Sequence, residues 1–145
     1  MFERILVLCT GNICRSPVAT AMLAAKPPDK TFASAGLGAL VGQGVEPQAR
    51  ALAEADGLDL SQHAARQVSV AMLQAADLVL VMSHGQRLAV GQMDSAALGK
   101  TLLLGRWLDA GQGAEIPDPY RKAQAVFVQV HERLTQATDA WVDRL

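Results

Sequence analysis

Three continuous apolar runs stand out along the chain, Arg4–Cys9, Ala76–Met82 and Thr101–Leu104, and none of them alternates with polar residues. Unbroken runs of this kind are expected of parallel strands covered on both faces. A weaker fourth run covers Thr31–Ala35. Between the runs the pattern changes to helical spacing. Val18–Lys26 follows Ser16-Pro17, a pair suited to an N-cap and a first helical position. Pro47–Asp56 is alanine-rich, opens on proline and stops at Gly57. Val70–Ala75 and His84–Met93 are shorter helical segments. The last segment is the plainest: Phe127, Val130, Leu134, Ala137, Trp141 and Leu145 recur every three or four residues. Such a stripe packs on a sheet, which makes Phe127 and Trp141 core residues.

Strands alternating with helices predict a parallel α/β sheet with right-handed crossovers. A length of 145 residues suits one domain, spanning 1–145, with a single core. No internal repeat, long linker or low-complexity tract divides it. The glycine-rich stretch from Gly36 to Gly44 reads as a mobile loop beside the second strand, at the end of the sheet where sites gather.

Composition narrows the class. Half of the residues are apolar, 19% are charged and the net charge is −1. That balance points to neither nucleic acid nor an acidic membrane surface as partner. The first apolar run is too short for a signal-peptide core, and Leu78–Met82 is too short to cross a bilayer. A cytoplasmic location without membrane insertion is the expectation, and a monomer is the default. Thiols stay reduced in the cytoplasm, so Cys9 and Cys14 read as a reactive thiol and its neighbour rather than as a structural staple.

The chemistry concentrates in Cys9-Thr10-Gly11-Asn12-Ile13-Cys14-Arg15-Ser16-Pro17, between the first strand and the first helix. A loop there that curls around an anion turns the N–H groups of Thr10, Gly11, Asn12, Ile13, Cys14 and Arg15 inward, beside a helix N-terminus. Gly11 and Asn12 tolerate the left-handed backbone that a curl needs. Arg15 offers a planar fork to two phosphate oxygens, and Ser16 can hydrogen-bond the sulfur. Donors and positive charge of this kind favour a thiolate over a thiol. The lysine-containing nucleotide P-loop pattern is absent. Without these neighbours, Cys9 would read simply as the buried end of a strand.

A thiolate can displace a phenolate only if an acid protonates the leaving oxygen. Asp118 stands between two prolines in Ile116-Pro117-Asp118-Pro119-Tyr120, on a stiffened loop. Taken by itself, this aspartate fits the general acid and the cap of the last helix equally well. No His/Cys/Asp cluster has metal-ligand spacing, so neither a metal nor another cofactor is expected.

These segments, with Ser34-Ala35-Gly36 and His63-Ala64-Ala65-Arg66-Gln67, resemble the low-molecular-weight protein tyrosine phosphatases, especially the bacterial branch linked to capsule and exopolysaccharide production. The resemblance implies a doubly wound, four-stranded parallel sheet in the order 2-1-3-4 with helices on both faces. It implies Cys9 as nucleophile, Arg15 as the clamp on the transferring phosphoryl group, and Asp118 as general acid and later base. Asn12, Ser16, Ser34 and His63 would brace the loop, while Leu40 and Tyr120 would line the crevice above it. Many relatives carry an aromatic residue near Leu40, but none lies between Phe32 and Trp107 here, so that wall is aliphatic. The implied substrate is a phosphotyrosine-containing protein, in particular a bacterial tyrosine autokinase. Arsenate reductase is disfavoured, because that reaction uses cysteines beyond Cys14. A binding module without turnover is disfavoured by the joint presence of Cys9, Arg15 and Asp118. Cys14 is either a disulfide partner for oxidised Cys9 or a small buried residue.

Overall fold

The computed structural model describes residues 2–27 and 29–145. Four parallel strands form its middle layer: β1 (Arg4–Cys9), β2 (Thr31–Gly36), β3 (Leu78–Val81) and β4 (Thr101–Leu103), side by side in the order β2-β1-β3-β4. Cys9 lies opposite Gly36 in the β1–β2 register, so both strands end at the same edge. Side chains alternate across the sheet. Ile5, Val7 and Cys9 face a core shared with α1 (Arg15–Ala24), α2 (Pro47–Ala55) and α5 (Gln124–Val142). Leu6 and Leu8 face a second core with α3 (Val70–Ala75) and α4 (His84–Met93). Cover on both faces is why Ile5–Cys9 of β1 and all of β3 are apolar and buried.

The stripe on α5 is buried as its spacing predicts, from Phe127 through Trp141, and Trp141 donates its indole N–H to the Leu104 carbonyl at 2.8 Å. Leu145 lies beyond the helix end and packs on the same core. Burying each such side chain contributes roughly 1.5–3 kcal/mol. Among the described residues, no helix is long and apolar enough to cross a membrane.

Three expectations need correction. The third strand is shorter than the apolar run Ala76–Met82, and its flanks are tied in by side chains. The Asp77 carboxylate accepts the N–H groups of Glu3 and Arg4, while Met82 donates its own to Gln86 Oε1. Helix α1 begins at Arg15 rather than Val18, with Cys14 as its N-cap. The Ser16 side chain therefore lies inside the first turn, free to point at the sulfur of Cys9. Pro17 is tolerated there because the first N–H groups of a helix have no intrahelical partner. Finally, the segment from Gly36 to Gly44 is laced down. Leu37, Gly38 and Leu40 donate to the carbonyls of Cys9, Thr10 and Gly11, and Gly42 donates to Ala65. Glycine at position 36 serves close approach: a Cβ there would lie 2.5 Å from the Thr10 carbonyl oxygen.

Candidate active site

The loop after β1 is organised by where its carbonyls go. Cys9, Thr10 and Gly11 turn their oxygens to Leu37, Gly38 and Leu40 at 3.0, 2.9 and 3.0 Å. The Asn12 carbonyl meets His63 Nε2 at 2.6 Å, and the Ile13 carbonyl accepts from Glu46 N at 2.8 Å. In a trans peptide the C=O and the following N–H point opposite ways. Five successive carbonyls held outward therefore leave the N–H groups of Thr10 to Cys14 facing inward, as a ring suited to an anion.

Asn12 is the internal brace. It adopts φ 58°, in the left-handed region that asparagine tolerates, and is fully buried. Its Nδ2 donates to Ser16 Oγ at 2.7 Å and to Ser34 Oγ at 3.0 Å, while its Oδ1 accepts from Arg66 N at 3.0 Å. Because Ser16 Oγ accepts from Asn12, its own hydrogen is left for Cys9 Sγ, 2.9 Å away. Ser16 N–H also points at that sulfur, at 3.4 Å. Two donors converging on one sulfur suit a sulfur that carries negative charge.

Arg15 lines the same crevice and is only 4% exposed. Its Nη1 donates to the Ile116 carbonyl at 2.8 Å, and its Nη2 lies 3.6 Å from Asp118 Oδ2. Its Nε is buried without a partner among the described residues. A buried guanidinium so incompletely satisfied favours an anion beside it. Asp118 is half exposed and does not cap α5, whose N-cap is Ala123; its Oδ1 instead accepts from Tyr120 N at 3.0 Å. The crevice has a volume of about 130 Å³, with Cys9 and Arg15 among its lining residues and Leu40, Asp118 and Tyr120 in its walls.

The profile described as "Low molecular weight phosphotyrosine protein phosphatase" matches residues 4–145. The chain belongs to this family. It is 42% identical to the low molecular weight protein-tyrosine-phosphatase Wzb of Salmonella typhimurium, over all of this chain and 95% of that one. The crystal structure of tyrosine phosphatase Wzb from Escherichia coli K30 in complex with sulphate superposes with a TM-score of 0.93 at 41% identity, covering 99% of both chains. YwlE arginine phosphatase from Geobacillus stearothermophilus gives a TM-score of 0.90 at 29% identity, over 98% of this chain and 92% of that one. One fold therefore carries relatives named for two kinds of phosphate ester or amide.

Every site residue singled out in the sequence of this phosphatase gathers at one place. Cys9 to Ser16 form the cradle, Ser34 and His63 brace it from outside, and Leu40, Asp118 and Tyr120 wall the crevice. Among the described residues, no group of three or more His, Cys, Asp or Glu is gathered as metal ligands. Both cysteines are free and buried. The Cys14 thiol is pushed up from 9.0 to about 12, chiefly by burial, then by Asp118, Cys9 and Glu46, against a lowering by Arg15. Cys14 therefore stays a neutral thiol where Cys9 is the group under the donors.

Some supports leave no signal in the sequence. Arg66 lies inside the motif His63-Ala64-Ala65-Arg66-Gln67, yet it is its backbone N–H that holds Asn12 Oδ1. Gln86 sits three residues after the N-cap Ser83, and that spacing resembles a capping box. Its amide instead ties Met82 N to Thr10, donating to Thr10 Oγ1 at 3.2 Å.

Proposed function

We propose that this phosphatase hydrolyses phosphotyrosine through a cysteinyl-phosphate, and that it acts on the phosphorylated tail of a bacterial tyrosine autokinase in exopolysaccharide production. The observation that carries the reading is the crevice itself. Cys9 Sγ lies at its floor under the Ser16 donors, the N–H ring surrounds it, and Asp118 stands on the wall above beside Arg15. In the first step Cys9 Sγ bonds to phosphorus as the phosphorus–phenolic oxygen bond breaks, and Asp118 gives its proton to that oxygen. In the second step Asp118 takes a proton from water, the water oxygen bonds to phosphorus, and the thiolate leaves. Tyrosine and inorganic phosphate are the products. The loop amides and Arg15 hold the charge on the equatorial oxygens throughout. Depth supports tyrosine over serine, since a short phosphoserine cannot lower its phosphorus to Cys9 past Leu40 and Tyr120. The autokinase and the polysaccharide role rest on resemblance to the capsule-associated branch.

The test is turnover of an aryl phosphate and of phosphotyrosine, phosphoserine and phosphoarginine peptides without added metal. Phosphotyrosine should be the preferred peptide ester. Cys9→Ser should cut turnover at least ~10⁴-fold while still binding inorganic phosphate, because only the nucleophile is lost. Activity of that variant near wild type would end the proposal, and a preference for phosphoarginine would reassign the substrate.

A further inference from the structure

The wall that carries Tyr120 contains an unexplained conformational outlier. Residues 119–122 form a turn closed by Lys122 N donating to the Pro119 carbonyl at 2.9 Å. Its third residue, Arg121, has φ 61°. A left-handed third position in a turn suits glycine or asparagine, which avoid the clash of a larger side chain. An arginine held there is strained, and strain of this kind concentrates at sites where it serves function. What the conformation achieves is visible in the side chains. The Arg121 guanidinium carbon lies 5.3 Å from the centroid of the Tyr120 ring, within cation–π range. Since Tyr120 lines the crevice, the charge is held at its mouth.

That charge is also uncommitted. Arg121 and Lys122 are both exposed, and among the described residues neither has a carboxylate within ion-pair distance. Asp118, the acid nearest in sequence, lies beside Arg15 instead. The opposite rim differs in kind. Leu40 faces the crevice there, and Val41 beside it is 70% exposed. That rim is held rigid by Leu40 N on the Gly11 carbonyl at 3.0 Å and Gly42 N on the Ala65 carbonyl at 2.8 Å. One rim is thus cationic and aromatic, the other aliphatic.

We propose that Arg121, assisted by Lys122, is a specificity determinant that selects phosphotyrosine flanked by a carboxylate side chain. The inference rests on the tyrosine phosphatase reading and adds the class of peptide to it. With phosphotyrosine in the crevice, flanking residues lie across the rims, and an Asp or Glu beside Tyr120 meets the charge that lies over that ring. Exposed ion pairs are weak and screened by salt, so the preference should be about threefold to tenfold at low ionic strength.

The experiment compares kcat/KM for a phosphotyrosine peptide with acidic neighbours against the same peptide carrying the corresponding amides, in low and high salt. The ratio is read within each variant, so a general change in turnover cancels. Wild type should favour the acidic peptide about threefold to tenfold at low salt, and the preference should shrink in high salt. Arg121→Gly, which relieves the turn and removes the charge, should bring the ratio close to one. Arg121→Lys should keep part of it. Wild-type turnover without an acidic preference, or an unchanged ratio in Arg121→Gly, overturns this inference alone. Failure of wild type to turn over any phosphotyrosine peptide overturns the tyrosine phosphatase reading and this inference with it.

Discussion

The two loops that meet over Cys9 are built on opposite plans. The cradle is internal: Cys9, Asn12 and Ser16 are almost wholly buried, and five successive carbonyls are bonded from outside. The loop carrying Asp118 is anchored by the buried Ile116 and Pro119 on either side of an exposed carboxylate. Ile116, 1% exposed, donates its N–H to the Met82 carbonyl and gives its own carbonyl to Arg15, while Glu115 Oε2 accepts from His84 N. Two residues later Asp118 is half in solvent. The difference follows from the tasks. An anion cradle must be set before substrate arrives, because its stabilisation comes from dipoles that need no rearrangement. An acid needs only to reach one oxygen and exchange protons with water. Damage to the two loops should therefore appear in different measurements.

Apart from loss of the Cys9 nucleophile, the largest effect expected tests the exposed loop. Asp118→Asn should slow hydrolysis of phenyl phosphate by about 10²–10³-fold, because the poor leaving group loses its proton donor. p-Nitrophenyl phosphate should suffer much less, and stability should change by no more than about 0.5 kcal/mol, as for other exposed side chains. Equal losses on both esters would remove Asp118 from the acid role, and a large drop in stability would erase the contrast between the loops.

The cradle should respond in stability as well. Asn12→Ala deletes the bonds to Ser16, Ser34 and Arg66 and leaves a left-handed alanine, a combined cost of about 3 kcal/mol. Chemical denaturation should show this loss together with reduced turnover; unchanged stability would mean that the outer carbonyl bonds suffice. Gly36→Ala comes next. Its Cβ would meet the Thr10 carbonyl oxygen at 2.5 Å, so the loop must shift, at about 1–3 kcal/mol as for other overpacked sites. Wild-type activity and stability in that variant would show that the close approach is not required.

The smallest effect concerns Cys14. Its thiol is raised from 9.0 to about 12 in the folded chain, so the protonated form is favoured by folding. That contribution is complete below pH 9 and declines as pH rises from 9 towards 12, where the unfolded thiol ionises first. Denaturation midpoints should therefore fall more steeply between pH 9 and about 12, the window of that shift, in wild type than in Cys14→Ser. Parallel pH profiles would show that Cys14 is less shielded than its burial indicates.

Periodicity and local chemistry were enough to place the strands, the α5 stripe and the Cys9 loop in the sequence. Each depends on residues within a few positions of one another, and solvation acts on them directly. The same holds for Arg15 and the proline-flanked Asp118 as candidates. Their meeting depended on tertiary structure, since a carboxylate more than a hundred positions from Arg15 can reach it only by the packing of Ile116 under the sheet edge. Local pattern even misled at Ser16-Pro17, which read as a helix cap until Cys9 and Asn12 claimed the serine. It misled again at residues 36–44, where glycine content suggested mobility and backbone bonds impose order. Arg66 and Gln86 contribute to the cradle through a backbone N–H and an amide tie, and neither contact leaves a mark in residue type or spacing. Sequence by itself determined which groups could do the chemistry, because reactivity belongs to residue types. Only the folded chain decided that their dipoles and charges converge on one sulfur, because that depends on contacts between segments far apart in the chain.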